Sequence, residues 1–331
     1  MLSSYSQLTS MLSCLQLEHW SSAELLSSLI KMSRLVAVET GKSVAHDVCP
    51  QESLFPSTTM VAPPACPRLP LDLERDVFEL TAMMFPETRS KLTLVAHRVR
   101  SWIEPLSYKS LSIASLHDAN RVLSISQSPH RAPDFLASTV RRLVLSRESH
   151  FPTRILALCS GITHLALEDE LLRDRWSDIH ATFLDLANVQ RLAIAANEIR
   201  RRNTHAGANI FARLTHLTLL DVAHAGLPEF VAALPALTHL ALASPPDCGT
   251  VQDFLARCPH LRVLVLLAPS PEWAADAGAK PRLLTDDRLV ILEAKSWDEG
   301  VSDGDTFWTV AQSFVAEKRR TGHSSLCAAR A

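Results

Sequence analysis

VRRLVL (140–145), ITHLAL (162–167), VQRLAI (189–194), LTHLTL (214–219), LTHLAL (237–242) and LRVLVL (261–266) are six versions of one phrase, apolar-x-x-Leu-x-Leu/Ile. The central leucines, Leu143, Leu165, Leu192, Leu217, Leu240 and Leu264, advance by 22, 27, 25, 23 and 24 residues. A looser copy, YKSLSI (108–113), precedes them, and a degraded one, DRLVIL (287–292), follows. Leucines at alternate positions of a short strand point to one side. A return segment of about 18 residues then crosses the other side with a helix or turn, and stacking such units buries a leucine core that no single unit could bury.

A period near 24 lies inside the 20–29 residue window of leucine-rich repeats. The connectors carry helix signals. FPTRILALCSG (151–161) has Pro152 in a first-turn position and Gly161 as a stop, and GLPEFVAALP (226–235) starts with Pro228. TVQDFLARCP (250–259) opens on a capping-box-like Thr250 with Asp253 three residues on. In DTFWTVAQSFVAEKRRTG (305–322), Phe307, Trp308, Ala311, Phe314 and Val315 recur at helical spacing, between Asp305 and a basic last turn at Lys318, Arg319 and Arg320, with Gly322 as the stop. This segment is expected to close the end of the stack as a capping helix.

Upstream, residues 1–67 are rich in Ser, Thr and Pro and end in SLFPSTTMVAPPACP. They read as a disordered or linker segment, with a short helix suggested over 23–38 by Leu25, Leu26, Leu29 and Ile30. Residues 68–107 read as a helical module. Leu73, Val77, Leu80 and Met84 fall on one face of a first helix, and Leu92, Val95, Val99, Trp102 and Leu106 on one face of a second, which Pro105 should end. Residues 108–320 form the repeat domain, and 321–331 a tail.

The 331 residues are 47% hydrophobic and 21% charged, with a formal net charge of −2, which excludes global disorder and the basic balance of a nucleic-acid binder. Seven cysteines, none in CxxC spacing, support neither a disulfide framework nor a zinc site. No membrane span or signal peptide is expected, and the localisation read is cytoplasmic or nuclear. A GKS at 41–43 lacks the earlier glycine of a phosphate loop, and no GxGxxG, GxSxG or HExxH occurs. An enzyme, a cofactor and a resident metal are therefore not expected. Arg200, Arg201 and Arg202 read as a solvated loop.

The residue before each central leucine faces away from the leucine core: Arg142, His164, Arg191, His216, His239 and then Val263. Two places on stand Val144, Ala166, Ala193, Thr218, Ala241 and Val265. The concave face thus reads as a basic and histidine stripe beside a shallow apolar strip. It is a candidate site for an acidic or phosphorylated segment, and the bland alternative is solvated Arg and His. His216 and His239 alone make a poor metal site. Charge repulsion among the stripe residues should hold the histidines neutral near pH 7, so acidic-partner affinity is expected to rise as pH falls towards 6.

RLPLDLERDVFELTAMMFP…LVAHRVRSWIEPLSYKSLSI resembles the F-box-like segment of fungal, mushroom-type F-box proteins with leucine-rich repeats. DDRLVIL…WDEG…GDTFWTVAQSFVAEKRR is similar to their ending, and the resemblance spans about residues 68–320. It implies an α/β chain: a short helical F-box-like module, then an irregular leucine-rich-repeat solenoid with a C-terminal capping helix. It also implies a non-catalytic substrate-binding subunit that docks the Skp-type adaptor of a cullin-type ubiquitin ligase and holds a protein substrate on the repeats. The positions matching the docking pattern are Leu69, Pro70, Leu73, Val77, Phe78, Val99 and Trp102, with Arg100 between the last two. The family's middle stretch is shortened here to FPETRS (85–90). The other reading is an interaction scaffold with no ligase role, whose residues 69–106 only cap the repeats. The adaptor reading requires Leu73, Val77 and Phe78 partly exposed, and the cap reading requires them buried.

Overall fold

Strands carrying the leucine phrase lie side by side in chain order and pair only in parallel. The computed structural model describes residues 70–197, 208–221, 226–244, 248–268, 286–293, 298–301, 306–321 and 328–330. The chain is α/β and divides into two compact units, one ending at Ser107 and one beginning at Tyr108. Residues 1–69, with Leu69, the suggested 23–38 helix and the GKS, fall outside the described residues, as do Arg200 to Arg202, Asp305 and Gly322.

In the first unit, α1 (Leu71–Met84) is followed by a 3-10 turn (Pro86–Thr88), α2 (Arg89–Leu92) and α3 (His97–Tyr108). Phe78, Ala82, Leu92, Val99 and Ile103 form its small core, with Val95, Trp102 and Leu106 packed against it. The second expected helix is thus broken, although its apolar residues still meet. Turn hydrogen bonds from Leu94 N to Lys91 O and from Val95 N to Leu92 O divide it, and Leu94 at the break is 85% exposed. Pro105 does not end α3, which continues to Tyr108. Proline removes one N–H donor from a helix that packing holds on both sides.

In the second unit the strands are β1 (Ser110–Ile113), β2 (Arg142–Leu145), β3 (His164–Leu167), β4 (Arg191–Ile194), β5 (His216–Leu219), β6 (His239–Leu242), β7 (Val263–Ala268) and β8 (Leu289–Glu293). Between them run α4 (Leu116–Ser126), α5 (Phe135–Thr139), α6 (Pro152–Leu158), α7 (Asp169–Leu184), α8 (Leu227–Ala232) and α9 (Cys248–Arg257). Leu143, Leu145, Leu165, Leu167, Leu192, Leu217, Leu240 and Leu264 share one core with Ile155, Trp176, Phe183, Phe211, Val231 and Phe254 from those connectors. This is the first face of the sheet. Free Cys159 and Cys258 are buried in it, and burial pushes the Cys159 thiol up to about 12.

Two further expectations are corrected. α9 starts at Cys248, so Thr250 is inside the helix and not its cap. A capping-box-like arrangement is observed at α4, where Ser115 Oγ accepts from Asp118 N and the Asp118 carboxylate accepts from Ala114 N, one residue before the N-cap. In DRLVIL, the phrase would put Val290 and Leu292 in the leucine core. Instead Leu289 pairs with Leu264 and Ile291 with Leu266, and those two join the first-face core. A one-residue slip exchanges every side chain between faces.

The last helix, α10 (Phe307–Thr321), does not close the end of the sheet. Its Phe307, Trp308, Ala311 and Val315 pack on Ala241, Val263, Val265, Leu267, Val290 and Leu292, which is the second face. The edge beyond β8 is instead extended in parallel by a short strand, β9 (Ala328–Arg330).

Candidate functional site

The register of the sheet assembles the expected stripe: Arg142 is opposite His164, His164 opposite Arg191, Arg191 opposite His216, and His216 opposite His239, which lies beside Val263. Three of these positions follow a threonine, and each pair repeats one geometry. The hydroxyl lies 2.8 Å from Nδ1 in Thr163–His164, 2.8 Å in Thr215–His216 and 2.7 Å in Thr238–His239. The preceding threonine therefore sets the ring orientation along the stripe.

The stripe is not an open surface. Val144, Ala166 and Ala193 form a small second-face core with Val301, and the sheet from β6 to β8 lies under α10. The apolar strip beside the stripe is thus a second buried layer. Val301 belongs to a 3-10 turn, Glu299–Val301. A Cβ placed on Gly300 would come 2.8 Å from Thr218 Oγ1 and 2.8 Å from Phe307 Cζ, so the turn reaches β5 only because residue 300 is glycine. Trp308 Nε1 donates to Gly300 O at 2.9 Å, and Lys318 Nζ donates to Leu289 O at 2.7 Å.

The two ends of the stripe differ. At one end His216 and His239 are stacked, with ring centroids 4.1 Å apart and planes 10° apart. Trp308 meets both edge-on, at 5.2 and 5.7 Å. Gln312 Nε2 is 2.8 Å from His239 Nε2; with the amide donating, the ring proton is on Nδ1 and faces Thr238 Oγ1. Burial is the main cause that lowers the His216 pKa to about 3 and the His239 pKa to about 4; repulsion comes second, from His239, Arg191 and His164 on His216, and from Arg262 and Arg191 on His239. Both rings remain neutral at pH 6. The expected gain in acidic-partner affinity towards pH 6 therefore has no source in these two histidines.

At the other end, Arg142 Nη2 donates to Asp298 Oδ2 at 2.9 Å. Its Nε is buried and has no hydrogen-bond partner. An acidic turn of the chain itself therefore sits where an acidic segment from outside was expected. Asp298, Gly300, Trp308 and Gln312 were not singled out as site residues in the sequence. The available signal was the run of small or apolar residues two places after each stripe position, Val144, Ala166, Ala193, Thr218, Ala241 and Val265, which lets a second layer pack on that face.

The docking pattern is divided in the same way. Leu73 is 44% exposed and Val77 half-buried, whereas Phe78 is 3% exposed and Val99 fully buried in the first unit's core. Trp102 packs half-buried against that core, and Pro70 is the exposed residue preceding α1. Leu73, Val77, Leu80 and Met84 form an exposed to half-buried stripe, while Phe78 and Ala82 face inward. Arg98 binds Glu74 at 2.8 Å and Arg89 Nε donates to Ala82 O at 2.8 Å, fixing α1 by its inward side.

Among the described residues, no group of three or more His, Cys, Asp or Glu is placed to hold a metal, and no helix is long and apolar enough to cross a membrane. No family model, curated protein or solved structure matches the chain.

Proposed function

We propose that the chain is a non-catalytic, substrate-binding adaptor of a cullin-type ubiquitin ligase. Its first unit docks on a Skp-type adaptor, and its leucine-rich-repeat sheet receives a protein substrate. The observation that carries this reading is the outward stripe of α1. Leu73 and Met84 are 44% and 60% exposed although the same unit holds its own core of Phe78, Ala82, Leu92, Val99 and Ile103. An apolar helix face left outside a finished core is the form of a helix-docking module. Phe78 and Val99 then support the helix instead of touching the partner. Their burial favours the second reading, an interaction scaffold without a ligase role, because the family pattern would use both.

The test is capture of a purified Skp-type adaptor by the full chain. The variant carries Leu73→Asp and Met84→Asp, with unchanged circular dichroism as the folding control. Capture by the wild type and its loss in the variant supports docking through α1. A folded wild type that captures nothing leaves the scaffold reading.

A further inference from the structure

We propose that the Asp298 turn is an intramolecular occupant of the sheet's second face, and that an acidic segment of a partner protein competes with it for Arg142. The inference rests on the reading that this face receives a protein partner. Its starting point is how poorly Asp298 fits the guanidinium. Nε and Nη2 lie along one edge of an arginine, spaced to match the two oxygens of a carboxylate. Asp298 accepts from Nη2, while Nε is buried without any partner. A buried donor left unsatisfied is a standing penalty in the closed form. A carboxylate arriving side-on satisfies both donors, so an outside segment can offer Arg142 more than the chain's own turn does.

The charge of the surroundings selects the competitor. Arg142 begins a row that continues through His164 and Arg191 in register on β3 and β4. A carboxylate-bearing peptide lying across these strands meets basic side chains, and a basic one meets repulsion. The turn is attached on the second face. Its contacts include Arg142, the Val301 side chain set among Val144, Ala166 and Ala193, the close approach of Gly300 to Thr218 and Phe307, and the Trp308 bond to Gly300 O, all on the second face. It can therefore leave the sheet without moving the first-face leucine core.

The probe is a dye-labelled synthetic peptide of this chain's own sequence 295–304, KSWDEGVSDG, titrated into the full chain by fluorescence anisotropy. The wild type is expected to bind it weakly, because the tethered turn occupies the site. Asp298→Asn should bind it about tenfold more tightly, since the apparent affinity rises with the fraction of open chain. Asp298→Ser serves as a second variant if the first does not fold. Adding Arg142→Lys keeps the charge but removes the fork, and should return binding to the wild-type level. A peptide with Asn at both aspartates and Gln at the glutamate should not bind. Equal affinity of the wild type and Asp298→Asn, lost with Arg142→Lys, overturns the competition but leaves the face as a receptor. No binding to any variant overturns both.

Discussion

α1 and α10 look alike in sequence, each an amphipathic helix with one apolar stripe, yet they use the stripe in opposite ways. α10 buries Phe307, Trp308, Ala311 and Val315 on the second face of the sheet. α1 buries Phe78 and Ala82 and leaves Leu73, Val77, Leu80 and Met84 exposed or half-buried. Helical periodicity identifies an apolar face but does not say what covers it. What decides here is the surface on offer. Ala241, Val263, Val265, Val290 and Leu292 give α10 an apolar bed, whereas α1 is held by polar ties, Arg98 to Glu74 and Arg89 to Ala82 O, on its other side. The sharpest way to break the comparison is Trp308→Ala. It removes a buried ring and the Gly300 hydrogen bond, and should lower urea-unfolding stability by about 3–5 kcal/mol. Unfolding unchanged within 1 kcal/mol would show that α10 is not part of the folded core.

A second effect comes from the two histidines under α10. Their folded pKa values, about 3 and 4, lie below the ordinary 6.5, so the unfolded chain binds protons first as pH falls. Their stabilising contribution is complete above pH 6.5 and is lost progressively as pH falls towards the folded values. Between pH 7 and pH 5 it should amount to roughly 1–2 kcal/mol per ring. The melting temperature should fall over that range in the wild type. In His216→Asn/His239→Asn the fall should be visibly shallower; an identical slope would remove the burial argument. The comparison is thereby sharpened, because the exposed stripe of α1 contains no such group.

The Arg142–Asp298 pair is smaller still. Both side chains keep some access to water, and the pair closes a contact between residues 156 apart in sequence. A double-mutant cycle with Arg142→Gln and Asp298→Asn should return a coupling of about 1 kcal/mol. A coupling of zero would mean that Val301 and Trp308, not charge, hold the turn.

The leucine phrase made the sheet legible because a strand's alternation and a near-constant period are local signals. They placed the first-face core and the stripe register from Arg142 to His239. They failed at β8, where LVIL is apolar at every position, so the pattern carries no information about which residues face which side. The cover on the second face was not legible for a related reason. Ala166, Ala193 and Ala241 are apolar whether exposed or buried, and α10 follows β8 at a distance in sequence that periodicity cannot read. Ser115 and Asp118 form a capping-box-like pair while the similar Thr250 and Asp253 do not start their helix, because α9 begins two residues before Thr250. A cap motif states a preference, and packing decides where the helix begins.

The smallest expected effect tests the exposed half of the comparison. Leu73→Ser changes a side chain that is 44% exposed and outside the first unit's core, so its stability cost should stay within about 0.5 kcal/mol. Phe78→Ala, five residues along the same helix, removes a buried ring and should cost about 3–5 kcal/mol. Hydrogen exchange of the α1 and α3 amides reads both. Protection should survive Leu73→Ser and collapse with Phe78→Ala. If Leu73→Ser also strips protection, its stripe is held by the protein's own residues, and α1 has no free apolar face with which to dock a partner.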